Sequence, residues 1–281
     1  MKTESMTWTH EQLMKINSMT KYPSIETYHP INHIGMLDES CPMIMGEPDD
    51  MVSVYEKIDG ANSRIVILPG EIDSHSDILI GSREELLHYE TDVLWRQEYG
   101  IVPTLRKLVM DEDMHHARNT SNKIIVLYLE TYGHPAHRKV AKNYSSDGTL
   151  GSRLFDIIEI EYDQWSNMLS WDLDQIAIWR NNGNQDFYAV DEFEAEAKIL
   201  GIKTVPHVAR LRAEEMPTDI EGCFEWMSRL LPETYAALDE KADKKPEGIV
   251  IRNYDRSRIA KLRFQNYLRT MDLMEKSSGE N

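Results

Sequence analysis

Lys57-Ile58-Asp59-Gly60 is the feature that constrains this chain most, because it sets an Asp-Gly step between two strand-like runs. Met51 to Ile58 carries a lysine into the step, and Asn62 to Leu68 leaves it. Asp-Gly between runs rich in β-branched residues is a hairpin signal, since tight hairpin turns need residues that accept positive φ. The pattern predicts a hairpin that holds one lysine amine at a fixed place on a sheet.

The rest of the chain reads as strands with helices set among them. Further strands are expected at Asp77–Gly81, Lys123–Leu129, Arg153–Glu161, Pro206–Leu211, Gly248–Asn253 and Arg258–Phe264. A short helix is expected after Thr9, which would cap it. Leu86, Leu87, Val93 and Leu94 fall on one helical face and predict a helix over 84–99. Pro103 would open another through Met110, and Asp191–Leu200 and Ile220–Leu231 complete the set. Irregular mixing of this kind favours an α+β domain over regular β-α-β winding. Three parts are expected: an N-terminal extension over 1–50, broken by Pro23, Pro30, Pro42 and Pro48 and packed on the core; the core itself over 51–265; and a short tail over 266–281. Only about 18 residues follow Arg263, fewer than an OB-type barrel needs, so no such domain is expected.

Composition narrows the function classes. No run of 18 or more apolar residues occurs, so a membrane span is not expected. The polar start lacks a signal peptide's apolar stretch, and two cysteines, Cys41 and Cys223, make no disulfide framework. A reducing cytoplasm is the expected compartment. The net charge of −17 argues against a general nucleic-acid binder, which would carry a basic footprint. An enzyme that meets nucleic-acid ends transiently remains compatible with it.

Motifs follow Lys57-Ile-Asp-Gly60 in a set order: Gly81-Ser82-Arg83, Leu127-Tyr-Leu-Glu130, Leu154-Phe155-Asp156-Ile157, Glu247-Gly-Ile-Val-Ile-Arg252 and Ile259-Ala-Lys261-Leu-Arg263. In a strand, side chains alternate, so Lys261 and Arg263 share one face and Ala260, Leu262 and Phe264 the other. Two cations so placed suit a clamp on one phosphate. Glu247 would share a face with Ile249 and Ile251 if pairing begins at Glu247. This series resembles the covalent nucleotidyltransferases: DNA ligases, RNA ligases and mRNA capping enzymes. Within them it looks most like an ATP-dependent RNA ligase of the phage T4 RNA ligase 2 type. The resemblance covers Val52 to Arg263.

That resemblance implies a nucleotidyltransferase fold of two antiparallel β-sheets with flanking helices, ATP lying between them. It implies that Lys57 attacks the α-phosphate of ATP, that AMP passes to a 5′-phosphate, and that a 3′-hydroxyl is joined to it. A lysine of ordinary pKa, near ~10.4, must first lose its proton. By the same resemblance Glu56 contacts the adenine amino group and Asn62 a phosphate. Arg83 would meet the ribose and the acceptor 5′-phosphate, Glu130 the ribose or a metal-bound water. Phe155 would stack on adenine and Asp156 bind the ribose. Lys261 and Arg263 would clamp the α-phosphate, Arg263 standing where the family usually has lysine. Asp59, Glu130 and Glu247 would surround Mg²⁺ or Mn²⁺, mostly through its waters. Weakly held RNA ends, and a protein partner that supplies end recognition, are the implied partners. A GTP-dependent guanylyltransferase, a nick-sealing DNA ligase and a non-catalytic nucleotide-binding protein stay open as alternatives. His134-Pro-Ala-His137 has no Cys or His cluster following it that would complete a zinc site.

Overall fold

The Asp-Gly step does not close a hairpin. In the computed structural model, which describes residues 8–69, 78–89, 92–93, 100–109, 122–133 and 138–278, the chain uses Ile58–Gly60 to cross from one sheet to another. Strand β2 (Met51–Lys57) enters the crossing and β3 (Ala61–Ile67) leaves it. Gly60 is needed for closeness and not for a turn. A Cβ there would lie 2.5 Å from the Thr131 carbonyl oxygen and 2.9 Å from the Tyr132 Cβ.

β2 lies inside a five-stranded sheet of order β1-β12-β11-β2-β10. Its other members are β1 (Glu26–Thr27), β10 (His207–Arg212), β11 (Gly248–Asn253) and β12 (Ile259–Arg263). All its pairs are antiparallel except β1 with β12, so the N-terminal segment expected as an extension supplies an edge strand. β3 lies inside a seven-stranded antiparallel sheet of order β6-β5-β4-β3-β7-β8-β9. That sheet comprises β4 (Ile78–Ser82), β5 (Leu86–Tyr89), β6 (Asp92–Val93), β7 (Ile124–Tyr132), β8 (Gly151–Ile160) and β9 (Asp186–Phe187).

Strand alternation gives the large sheet two covered faces. Ile65, Ile67, Leu127 and Leu129 pack with helices Ile101–Val109 and Val190–Ile199. Val66, Leu68, Val126 and Tyr128 pack with helices His10–Met19, Tyr162–Met168 and Leu173–Asn181. Thr9 caps the first helix through a capping box, as its sequence predicts. The small sheet buries Val52, Val54, Ile249, Ile251, Ala260 and Leu262 beneath helices Ile220–Leu230 and Phe264–Ser278. The last helix includes most of the expected tail. Phe264 meets Phe224 edge to face at 5.9 Å, and Tyr267 is buried.

The helix expected over 84–99 is not present where that segment is described. Leu86–Tyr89 and Asp92–Val93 are strands instead. Leu86 belongs to one core and Leu87 to the core on the opposite face. Adjacent residues reach opposite faces in a strand and not in a helix, so the edge of β4 decided the outcome over local periodicity. Residues 90–91 and 94–99 of that segment, and His134–His137, lie outside the described residues.

Candidate active site

The two sheets enclose a cleft of about 600 Å³, and the crossing at Ile58–Gly60 forms part of its wall. Lys57 ends β2, where alternation directs its side chain into the cleft with Tyr55. Its Nζ donates to Glu247 Oε2 at 2.7 Å. Glu247 Oε1 is 3.0 Å from Arg263 Nε, so one carboxylate bridges two cations. Glu247 stands before β11, whose ladder begins at Gly248 opposite Lys57. It therefore escapes strand alternation and faces the cleft, while Ile249 and Ile251 face the core. The expected shared face of Glu247, Ile249 and Ile251 does not form.

Lys261 and Arg263 do share the cleft face of β12, and Ala260 and Leu262 are buried behind them. Lys261 Nζ donates to the Ile25 carbonyl at 2.6 Å. Burial lowers the Lys261 pKa, and the neighbouring charges of Arg263, Lys57 and Arg83 lower it further. On the opposite wall Asn62 and Glu130 are direct partners across β3 and β7. Glu130 Oε1 accepts from the Gly60 N–H at 3.0 Å, which ties the strand to the crossing. Burial pushes its carboxyl up to about 7, and burial raises Glu247 as well. Asp59 borders the same cleft, its N–H donating to the Tyr144 hydroxyl at 2.8 Å.

Phe155 reaches the cleft through a bulge. β7 and β8 pair Tyr128 with Asp156 but Leu129 with Leu154, so Phe155 is the extra residue and leaves the alternation. Tyr22 supports its ring edge to face at 5.0 Å. The bulge also turns Asp156 away. Asp156 is fully buried, does not border the cleft, and pairs with Arg252 Nη1 at 3.2 Å and Arg256 Nε at 2.6 Å. The Tyr22 hydroxyl donates to its Oδ2 at 2.8 Å. The expected ribose contact of Asp156 has no open surface to make it. Asp156 joins the large sheet to the β11–β12 connection instead.

Glu56 borders the same cleft, and its carboxylate accepts from the Thr234 hydroxyl and from the Tyr235 N–H at 2.9 Å. Arg83 stands exposed at the rim, donating to Ser24 Oγ at 2.7 Å. Strand reasoning missed Tyr22, Ser24, Ile25, Val250 and Arg252, which also line the cleft. Val250 and Arg252 were accessible in principle, since they alternate with the buried Ile249 and Ile251.

The cleft fits a phosphorylated, aromatic ligand. Lys57, Lys261, Arg263 and Arg83 supply positive charge, and Phe155 and Val250 supply apolar walls. Asn62 Oδ1 is buried with no hydrogen-bond partner, an acceptor left for something in the cleft. No group of three His, Cys, Asp or Glu among the described residues is close enough to hold one metal directly. Asp59, Glu130 and Glu247 thus border one cleft without forming a ligand cage. Among the described residues no helix is long and apolar enough to cross a membrane.

Comparison with known proteins gives the family. Solved structures of Naegleria gruberi RNA ligase variants share the fold. One with AMP and Mn superposes with a TM-score of 0.52 at 16% identity, covering 88% of this chain and 61% of that one. Another with ATP and Mn gives 0.51 at 16% identity, covering 89% and 63%. The chain thus spans about three fifths of the length of these relatives. No curated protein matches the chain. The family model for RNA ligase matches residues 50–263, which include the whole series from Lys57 to Arg263. The chain belongs to the RNA ligase family.

Proposed function

We propose that the chain is an ATP-dependent RNA ligase of the phage T4 RNA ligase 2 type that works through AMP carried on Lys57. The observation that carries this reading is the Lys57 amine in the cleft, held by Glu247, whose other oxygen reaches Arg263 of the cation pair on β12. Lys57 Nζ attacks the α-phosphorus, a P–N bond forms, and the bond to pyrophosphate breaks. The amine must first shed a proton. Glu247 Oε2, 2.7 Å away and made more basic by burial, is placed to accept it. Lys261 and Arg263 neutralise charge that builds on the phosphate oxygens as pyrophosphate leaves. Phe155 offers a face for the base. A divalent cation such as Mg²⁺ or Mn²⁺ supplies further charge neutralisation when bound. Asp59, Glu130 and Glu247 would hold it through water, as their spacing requires. AMP then passes to a 5′-phosphate, with Arg83 at the rim to receive that end, and a 3′-hydroxyl displaces it.

The ATP and AMP of the Naegleria structures support the nucleotide assignment at the level of a shared fold. The test is incubation with labelled ATP and a divalent cation, followed by a denaturing gel. Label should stay on the protein, mass spectrometry should place AMP on Lys57, and Lys57→Ala should lose it while remaining folded. AMP on another lysine overturns the assignment, and preference for GTP moves the chain to guanylyl transfer.

A further inference from the structure

Arg153, Lys198 and Lys203 surround a second cavity of about 510 Å³ beside the nucleotide cleft. None of the three has an ion-pair partner among the described residues. Arg153 is half-buried, and its guanidinium makes only long bonds to neutral oxygens: Tyr132 Oη at 3.3 Å and the Thr204 carbonyl at 3.4 Å. Glu194 also borders the cavity, but it accepts from the Tyr55 hydroxyl at 3.2 Å. Arg153 also acts on the buried Glu56 carboxylate, yet three cations against the one carboxylate lining the cavity leave a locally positive concavity in a chain of net charge −17.

The cavity is placed against the catalytic machinery. Asn62 pairs with Glu130, and Glu130 pairs with Arg153, in one row across β3, β7 and β8. Glu130 borders the cleft, so one strand spacing, about 5 Å, separates Arg153 from a residue of the cleft wall. Val205 borders both cavities. Tyr235, whose N–H holds Glu56, lines the second cavity with 50% of its surface exposed. An exposed aromatic ring beside unpaired cations suits an unstacked base and its phosphates, which a duplex does not present.

We propose that this groove holds a single-stranded segment of the RNA being joined, its phosphates on Arg153, Lys198 and Lys203 and one base on Tyr235. The inference rests on the RNA-joining reading, and its test separates the two. Fluorescent single-stranded RNA is titrated into the full chain over a range of salt. Lys198 and Lys203 are both exposed, so their joint replacement by alanine leaves the fold intact. That double variant should lower the slope of log affinity against log salt by about 1.4, at roughly 0.7 per phosphate on single strands. Tyr235→Ala should weaken binding roughly tenfold, the loss of one stacked base. Both variants should still take AMP from ATP at the wild-type rate. An unchanged slope in the double variant, with AMP transfer intact, overturns the groove. Loss of inorganic phosphate binding alone, with RNA binding unchanged, also overturns it and leaves a small-anion site. Absence of AMP transfer in the unaltered chain would instead overturn the ligase reading.

Discussion

Asp156 shows how one carboxylate can carry a different load from the one its neighbours suggest. It sits beside Phe155 and reads as a ligand contact, yet it is the only carboxylate paired with the buried Arg252 and Arg256 among the described residues. Arg256 lies 100 residues away and holds a positive φ of 59°, which no local pattern announces. Asp156→Asn would leave two buried guanidinium groups without a counter-charge. We expect a loss of about 3–5 kcal/mol, read from the urea midpoint. An unchanged midpoint with a raised KM for ATP would restore the ribose contact. Glu130 gives the opposite sign. Its folded pKa is raised to about 7 by burial, above the 4.5 of a free carboxyl, so folding favours its protonated form. Stability is lost as pH rises from about 4.5 through 7. Glu130→Gln should therefore raise Tm at pH 8 and change it little at pH 4. Equal shifts at both values would mean that burial does not control this group. By contrast, Lys261 and Arg263 were legible as a pair from alternation alone, because two residues apart on a strand fixes a common face.

At the scale of elements, the crossing between sheets was the least legible part. An Asp-Gly step looks the same whether glycine is wanted for positive φ or for the missing Cβ. Gly60 is absent from the positive-φ glycines, and its neighbour is the β7 backbone. Gly60→Ala and Gly60→Asn should both destabilise the fold by about 1–3 kcal/mol, because either adds a Cβ against Thr131. At a hairpin position asparagine would do better than alanine, since it tolerates the left-handed region. Matching losses in denaturant unfolding would separate these cases, and rescue by asparagine would reinstate the hairpin. Long apolar strands such as Ile124–Tyr132 were legible because their composition leaves no other reading. Leu86 and Leu87 were not, since their placement depends on a partner strand that sequence periodicity does not contain. The helix Leu173–Asn181 was illegible for a similar reason: its apolar Leu173 and Ile178 are exposed, so they blur the stripe of the buried Ile176 and Trp179.

Charge acts on the molecule as a whole. At −17 the protein repels polyanions, so on the proposed reading its contacts with RNA come from a few cations at the cleft and beside it. Each phosphate contact contributes a slope of about −0.7 to −0.9 in log affinity against log salt. Joining of RNA ends should therefore fall steeply with salt, whereas AMP transfer to Lys57 from saturating ATP should fall less. The two rates measured over one salt series check this, and an equally shallow dependence would contradict it. The crossing at Ile58–Gly60 has a mechanical counterpart in this picture. The sheets are two jaws, and the reactive amine is mounted next to the pin on which they meet. A small rotation of one jaw would widen the mouth at Arg83, where the proposed reading brings in the incoming end, far more than it would displace Lys57. On that reading, ligands would enter and leave while the amine keeps its aim.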